Sequence, residues 1–360
     1  MKQGWDIKSF SDCIEKVKAT TKLQSSLYKD NGVYPIVSQE KELVSGYWDN
    51  KEDLFCHSTP LVVFGDHTMV VKYIDFDFVI GADGVKILMP KPFLLPKYFY
   101  YWVSSVRIQS RGYARHFRYL KETFVPIPSL SEQQRIVDIL DAEFAKIDAL
   151  KENAEKNLQN AKDLFQAVLR KELEPKEGWE TKTIDKVVKS MFAGGDAPKE
   201  NISKEPTEKY CIPIYANAVE NDGLYGYTDQ ARVCEPSITV AARGSGTGYT
   251  LRRKDAYLPI VRLIVIIPNS DMVLLDYIYY SLRSLKIDVS GVAIPQLTVP
   301  MLKKHKVNYP LLLKEQQRIV STLDGISIKC TEIENNYKRT ILLCTDLKQA
   351  LLRKAFNGEL

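Results

Sequence analysis

The sequence predicts a mixed α/β (α+β) protein: two globular domains joined by two long helices that form an antiparallel coiled coil, built as an internal repeat about a pseudo-twofold axis. Three observations carry that expectation. The hexapeptide Glu-Gln-Gln-Arg-Ile-Val occurs twice, at residues 132–137 and 315–320. Around each copy, apolar residues recur at steps of three and four over about five heptads, the mark of a narrow helical seam. Ahead of each copy lies a segment of short strand-like runs and turns, and the two segments open alike.

The repeat extends well beyond six residues. Sliding Glu132–Leu173 onto Glu315–Phe356 needs no gap and gives 17 identities in 42 positions, too many for coincidence. Self-similarity at a fixed offset identifies a duplicated unit and takes precedence over local readings.

Taken in order, residues 1–130 form the first domain, 131–173 the first long helix, 174–310 the second domain and 311–360 the second long helix. Gly4–Ile14 (GWDIKSFSDCI) answers Gly178–Val188 (GWETKTIDKVV), Tyr34–Gln39 (YPIVSQ) answers Ile212–Asn217 (IPIYAN), and GYWDN answers GYTDQ. Runs rich in Val, Ile and Tyr, such as PLVVFG, DFVIGADGVKILMP, SITVAAR and LIVIIP, read as strands. PKYFYYWVSSVRIQ and LDYIYYSLRSLK read as amphipathic helices late in each domain.

For the first long helix, Ser131 is the expected N-cap, with Gln134 closing a capping box. Its seam is expected at Ile136, Leu140, Ile147, Leu150, Ala154, Leu158, Ala161, Leu164 and Val168. That of the second helix is expected at Ile319, Leu323, Ile326, Cys330, Ile333, Tyr337, Ile341, Cys344, Leu347 and Leu351. Pro175 ends the first helix and Asn357-Gly358 the second. The second domain begins where the first helix stops and ends where the second helix starts. Because domain termini lie close together, the two helices should run antiparallel.

Bulk properties exclude several classes. The chain is 45% apolar and can bury sizeable cores, yet it has no run of about 18 apolar residues to span a membrane. The opening MKQGWDIKSFSD lacks the apolar stretch of a signal peptide. Six cysteines without a CxxC pair fit reduced thiols in the cytoplasm. Cys56-His57 with His67 is a poor tetrahedral set, so no metal is expected. Net charge is +5, with +3 over residues 1–130, −2 over 131–173 and +2 over each later segment. Moderate positive charge with local arginine clusters suits a partial nucleic-acid surface.

No Walker A loop, no GxGxxG between strand and helix, and no Asp/Asn-Pro-Pro-aromatic motif of an amino-methyltransferase appears. Ala242–Gly248 (ARGSGTG) is either a strand-connecting turn or a glycine loop approaching DNA through Arg243, Ser245 and Thr247, with Arg252 and Arg253 following. FGDH places His67 at the matching point of the first domain, with Lys72 just beyond. Arg107, Arg111, Arg115 and Arg118, spaced three or four apart among aromatics, form either a solvated face or a DNA-lining cluster before the first helix. Lys303 and Lys304 supply a comparable cluster before the second.

FVPIPSLSEQQRIVDILD, the ending LLRKAFNGEL, the opening Gly-Trp, and FGDHTMVVKYIDFDFVIGADGVKIL together resemble type I restriction–modification specificity subunits. The second copy departs from the pattern, since VNYPLLLKEQQ has one proline where the first has two. The resemblance implies two target-recognition domains, each reading one half of a bipartite, asymmetric double-stranded DNA site, with the spacer set by the coiled coil. It implies no catalysis by this chain. Two methyltransferase (modification) subunits and two restriction (motor–nuclease) subunits would assemble on it, carrying S-adenosylmethionine, Mg and ATP. No membrane is involved. Glu132, Gln133 and Arg135, repeated as Glu315, Gln316 and Arg318, are then expected to meet two equivalent partner subunits. The rival reading is a two-headed coiled-coil adaptor that binds proteins rather than DNA.

Overall fold

The computed structural model describes residues 4–109, 112, 114–244, 246–284 and 296–360. The chain divides into two compact units. Unit 1 holds the residues up to Glu155 together with Lys338–Leu360, and unit 2 is Lys156–Tyr337.

The principal elements of unit 1 are β1 (Asp6–Ser9), β2 (Tyr34–Val37), β3 (Leu61–Gly65), β4 (Val71–Ile74), β5 (Phe78–Gly81), β6 (Val85–Leu88), α1 (Pro96–Ser105), β7 (Phe124–Ile127) and the first part of α2 (Leu130–Glu172). β3 is central, antiparallel to β4 and β6, and every residue of its LVVFG run is buried. A continuous apolar run is what a strand covered on both faces requires. β2 and β5 pair in parallel within a second sheet, with Val37 beside Ile80. β1 pairs antiparallel with β7, from Asp6 beside Ile127 to Ser9 beside Phe124. The opening of the domain thus braces the strand that leads into the long helix. α1 begins on Pro96, whose fixed φ suits a first helical turn, and it buries Tyr98, Phe99, Tyr101, Trp102 and Val103.

Unit 2 repeats the plan with β8 (Trp179–Thr183), β9 (Val188–Ala193), β10 (Ile212–Tyr215), β11 (Ser237–Val240), β12 (Thr250–Arg253), β13 (Leu258–Pro259), β14 (Ile264–Pro268), α3 (Leu275–Ser284), β15 (Lys306–Pro310) and the first part of α4 (Leu313–Asn357). The sheet order is β9-β14-β11-β12, and β10 pairs in parallel with β13. β8 pairs with β15 from Trp179 beside Pro310 onward, so the single proline of the second copy leads into its helix as the first copy does.

Each unit's core combines one helix start with one helix end. In unit 1, Ile136, Val137 and Leu140 share a cluster with Leu352, Ala355 and Phe356. In unit 2, Ile319, Val320 and Leu323 share one with Phe165, Leu169 and Leu173. Within each unit the long helices therefore run antiparallel, as expected. No helix among the described residues is long and apolar enough to cross a membrane.

Two local expectations are corrected. The first helix is capped two residues early: it starts at Leu130, and Ser129 Oγ accepts from Glu132 N at 3.3 Å. The seam also phases differently. Leu150 and Leu164 are 51% and 56% exposed, and their copies Ile333 and Leu347 are 41% and 48% exposed. After Ile147 and Ala161 the packed side steps by four, to Lys151 and Phe165, which turns the residue at step three outward.

Candidate nucleic-acid interface

In both units the strand ends gather at one edge. β2 runs parallel to β5, while β3 and β6 are antiparallel with Gly65 beside Val85. Residues 38–39, 66–68 and 82–84 therefore emerge together. In unit 2 the same registers, Tyr215 beside Pro259 and Val240 beside Ile264, bring out residues 216–217, 241–243 and 260–263.

An amide side chain organises each edge. Asn217 Oδ1 accepts from Ala242 N and, at 3.2 Å, from Arg243 N, while its Nδ2 donates to Arg243 O at 2.9 Å. Gln39 stands at the same point of unit 1, and its Oε1 accepts from His67 N at 3.2 Å. Sequence reasoning missed both as site residues, although YPIVSQ and IPIYAN each end on the amide. The His67 ring is half-buried, with Nδ1 3.1 Å from Ala114 O, and Thr68 Oγ1 donates to Gln39 O.

Behind each edge lies a cleft between the strand turn and the last turn of the α1 or α3 helix. In unit 1 it measures about 540 Å³ and is lined by Phe64, Met69, Val71, Val103, Arg107 and Ile108. Its counterpart in unit 2 measures about 460 Å³ and is lined by Thr247, Tyr249, Leu251, Tyr279, Leu282 and Arg283. The first lining is rich in valine, methionine and phenylalanine, and the second in threonine and tyrosine.

The expected DNA-contacting residues separate into two groups. Arg107, Arg115, Arg243, Lys303 and Lys304 are exposed. Arg118 is exposed too, its guanidinium 4.6 Å from the Tyr119 ring centre. Thr247 is half-buried and donates to Gly244 O at 2.8 Å. Arg111 and Ser245 lie outside the described residues.

The other group is turned inward, against expectation. Lys72 is buried and donates to Ser38 O and Glu42 O, holding the loop after β2; burial pulls its pKa down. Arg252 pairs with Asp276 at 2.7 Å and Asp324 at 3.2 Å. Burial lowers its pKa, but the hydrogen bonds and charges of those two carboxylates outweigh it and hold it above its ordinary value. Arg253 is buried 3.5 Å from the Tyr215 ring centre and donates to Asp222 O at 2.6 Å. Burial lowers the pKa of this guanidinium as well. All three cations are engaged by partners within their own unit.

Among the expected partner contacts, Gln133 and Gln316 are fully buried and so cannot meet a partner in this conformation. Their neighbours do reach solvent. Arg135 is exposed and forms a two-point ion pair with Glu132, at 2.7 and 2.9 Å. Arg318 is exposed and Glu315 half-buried.

The repeat of one plan in two units has a counterpart among known proteins. A family model for the type I restriction modification DNA specificity domain matches residues 2–160 and again 176–343. The chain belongs to the type I restriction–modification DNA specificity family. Within it, the chain is 35% identical over 140 residues to a Mycoplasma pneumoniae protein named as a type I specificity subunit, S.MpnORF507P, covering 39% of this chain and 38% of the relative. A second M. pneumoniae relative, S.MpnORF89P, is 32% identical over 44% of this chain and 47% of its own length. The chain thus spans less than half of either relative. The Escherichia coli EcoR124I/EcoR124II specificity subunit is 24% identical over 92% of this chain and 89% of its own. The specificity-family fold is shared with a chain solved in work on complex assembly and conformational transition of the type I R-M system, with TM-score 0.74, 16% identity, and coverage of 100% and 99%. It is shared as well with the HsdS subunit of Thermoanaerobacter tengcongensis, with TM-score 0.51, 16% identity, and coverage of 100% and 98%.

Proposed function

We propose that this chain is the non-catalytic, sequence-reading subunit of a type I restriction–modification complex. Each unit reads one half of an asymmetric, bipartite double-stranded DNA site, and the long helices set the spacer. The observation that carries the reading is the pair of equivalent edges and clefts on one scaffold, with different side chains at matching positions. One scaffold used twice with different surfaces gives two half-sites of different sequence. Arg107, Arg115, Arg118, Arg243, Lys303 and Lys304 supply phosphate contacts, which position the protein without reading sequence. Glu132, Arg135, Glu315 and Arg318 face two methyltransferase subunits, and two motor–nuclease subunits join for cleavage. S-adenosylmethionine, Mg and ATP belong to those partners.

The test has two arms. Titrating the chain with its methyltransferase subunit against duplex DNA over a salt series should give affinity that falls steeply with salt. Replacing residues 175–310 by the corresponding domain of a relative should change one half of the methylated motif and leave the other intact. Salt-independent absence of DNA binding would favour a protein-binding adaptor. A change in both half-sites would mean that the heads are not independent readers.

A further inference from the structure

The turn between β13 and β14 is strained and rigid at once. Val261 and Arg262 both adopt left-handed backbone, with φ of 50° and 62°. Side-chain-bearing residues pay about 1–2 kcal/mol each for that conformation, and a β-branched residue fits it worst. Four backbone hydrogen bonds hold the turn there. Ile260 N donates to Tyr215 O at 2.9 Å and Val261 N to Gly195 O at 2.7 Å. Leu263 N donates to Ile260 O at 3.1 Å and Gly194 N to Leu263 O at 2.8 Å. Gly194 is a requirement of this close approach: a Cβ there would lie 2.8 Å from the backbone of Pro259 and Ile260.

The strained turn presents Arg262 to solvent, at the edge organised by Asn217 and beside the segment that carries Arg243. Among the described residues its guanidinium has no hydrogen bond or ion pair, whereas Arg252 and Arg253 are both engaged internally. Strain of this kind persists where the surroundings over-determine it, and it concentrates at sites of recognition. A guanidinium on a fixed turn is a pre-organised fork, matching the O6 and N7 acceptors of guanine.

The parallel registers of β2 with β5 and of β10 with β13 locate the counterpart in unit 1. Ile80 aligns with Pro259, so Asp83 stands where Arg262 stands. Asp83 is exposed and is followed by Gly84 at φ 80°. One unit thus offers donors, and the other acceptors, at the same point of the fold.

We infer that these turns are base-reading elements, with Arg262 contacting a guanine in the half-site of unit 2 and Asp83 accepting from a base amino group in that of unit 1. The inference rests on the DNA-reading function proposed above and names the residues that discriminate.

The test uses the full chain with its methyltransferase subunit, and duplexes in which each base pair of the methylated motif is changed in turn. For Arg262→Ala, discrimination at one position of one half-site should fall about 10- to 100-fold, with the other half-site read as before. Arg262→Lys keeps the charge but loses the fork, and should fail at the same position. Asp83→Asn should shift preference in the opposite half-site only. Equal weakening on all duplexes with a salt slope lower by about one would make Arg262 a phosphate contact and overturn the inference. Wild-type discrimination in Arg262→Lys would overturn it as well. Failure of the underlying reading looks different, because the unsubstituted complex would then show no motif at all. Thermal melting of each variant separates loss of folding from loss of reading.

Discussion

Gln133 and Gln316, 183 positions apart, make the same three hydrogen bonds in two different units. Gln133 Oε1 accepts from Leu95 N at 2.8 Å, and its Nε2 donates to Phe93 O at 2.9 Å and Pro128 O at 3.0 Å. Gln316 Oε1 accepts from Leu274 N at 2.8 Å, and its Nε2 donates to Met272 O and Pro310 O, both at 2.9 Å. One amide therefore ties three segments together: the loop before α1 or α3, the strand end before the long helix, and the helix itself. Neighbouring contacts repeat as well. Tyr101 and Tyr280 both donate to the matching carboxylates Asp141 and Asp324, and Tyr98 and Tyr277 donate to the backbone of β7 and β15. The duplicated hexapeptide holds each head onto its helix.

Gln133→Ala should destabilise unit 1 by about 2–4 kcal/mol, because it leaves buried backbone groups without partners. Gln133→Glu should be worse, since a carboxylate cannot donate to Phe93 O and Pro128 O and would be buried facing them. Urea denaturation gives the magnitude, and amide exchange at Leu95 gives the location. If Gln133→Ala melted like the parent chain, the amide would be incidental.

Thiol accessibility provides an independent check on the fold. Cys56, Cys211 and Cys234 are exposed, whereas Cys13, Cys330 and Cys344 are buried. Burial pushes the Cys13 thiol up to about 11, and a hydrogen bond to the Asp77 carboxylate raises that of Cys56. Since the thiolate is the nucleophile, a maleimide should label three sites in the native chain, with Cys56 the slowest of them, and all six after unfolding. Intact mass against time reads this directly. Rapid native labelling of Cys330 would contradict its place in the unit 2 core.

The duplication, the long helices and their antiparallel direction were legible in the sequence, because helical seams and segment order are local signals. The partition of the cations was not. Arg243 and Arg252 look alike in sequence, but the carboxylates that engage Arg252 lie 24 and 72 positions away. Pairing at that range depends on the tertiary fold. The cap was misplaced for a different reason: Ser129 stands three residues ahead of Glu132 just as Ser131 stands ahead of Gln134, and strand β7, ending at Ile127, leaves Ser129 to accept from Glu132 N. Leu150 and Leu164 were misplaced because steps of three and four both satisfy a helical seam.

Val261→Gly should stabilise the chain by about 0.5–1 kcal/mol. Glycine removes the steric cost at φ 50° and, being more flexible when unfolded, returns part of the gain. Val261 is 51% exposed, so little packing is lost. A higher urea midpoint with an unchanged slope is the expected signature. A lower midpoint would show that the side chain, rather than the backbone, sets the conformation of the turn.

Arg243 and Arg252 make the sharpest contrast, because charge alone does not distinguish them. Arg243 is exposed, and it is its backbone that Asn217 holds, so its guanidinium is left to face a ligand. Arg243→Ala should leave stability within about 0.5 kcal/mol while lowering DNA affinity and reducing the salt slope by about one. Arg252 bridges Asp276 on α3 and Asp324 on α4 and stacks 4.4 Å from the Tyr279 ring centre. Arg252→Ala removes the cation between two carboxylates and should cost about 1–3 kcal/mol of stability. Any loss of DNA binding should then follow the loss of folded protein, with the salt slope unchanged. Running both variants through the same melting and salt-titration series tests the division directly. If Arg252→Ala reduced the slope while melting normally, its carboxylate partners would not engage it in solution, and the inward group of cations would have to be returned to the DNA surface.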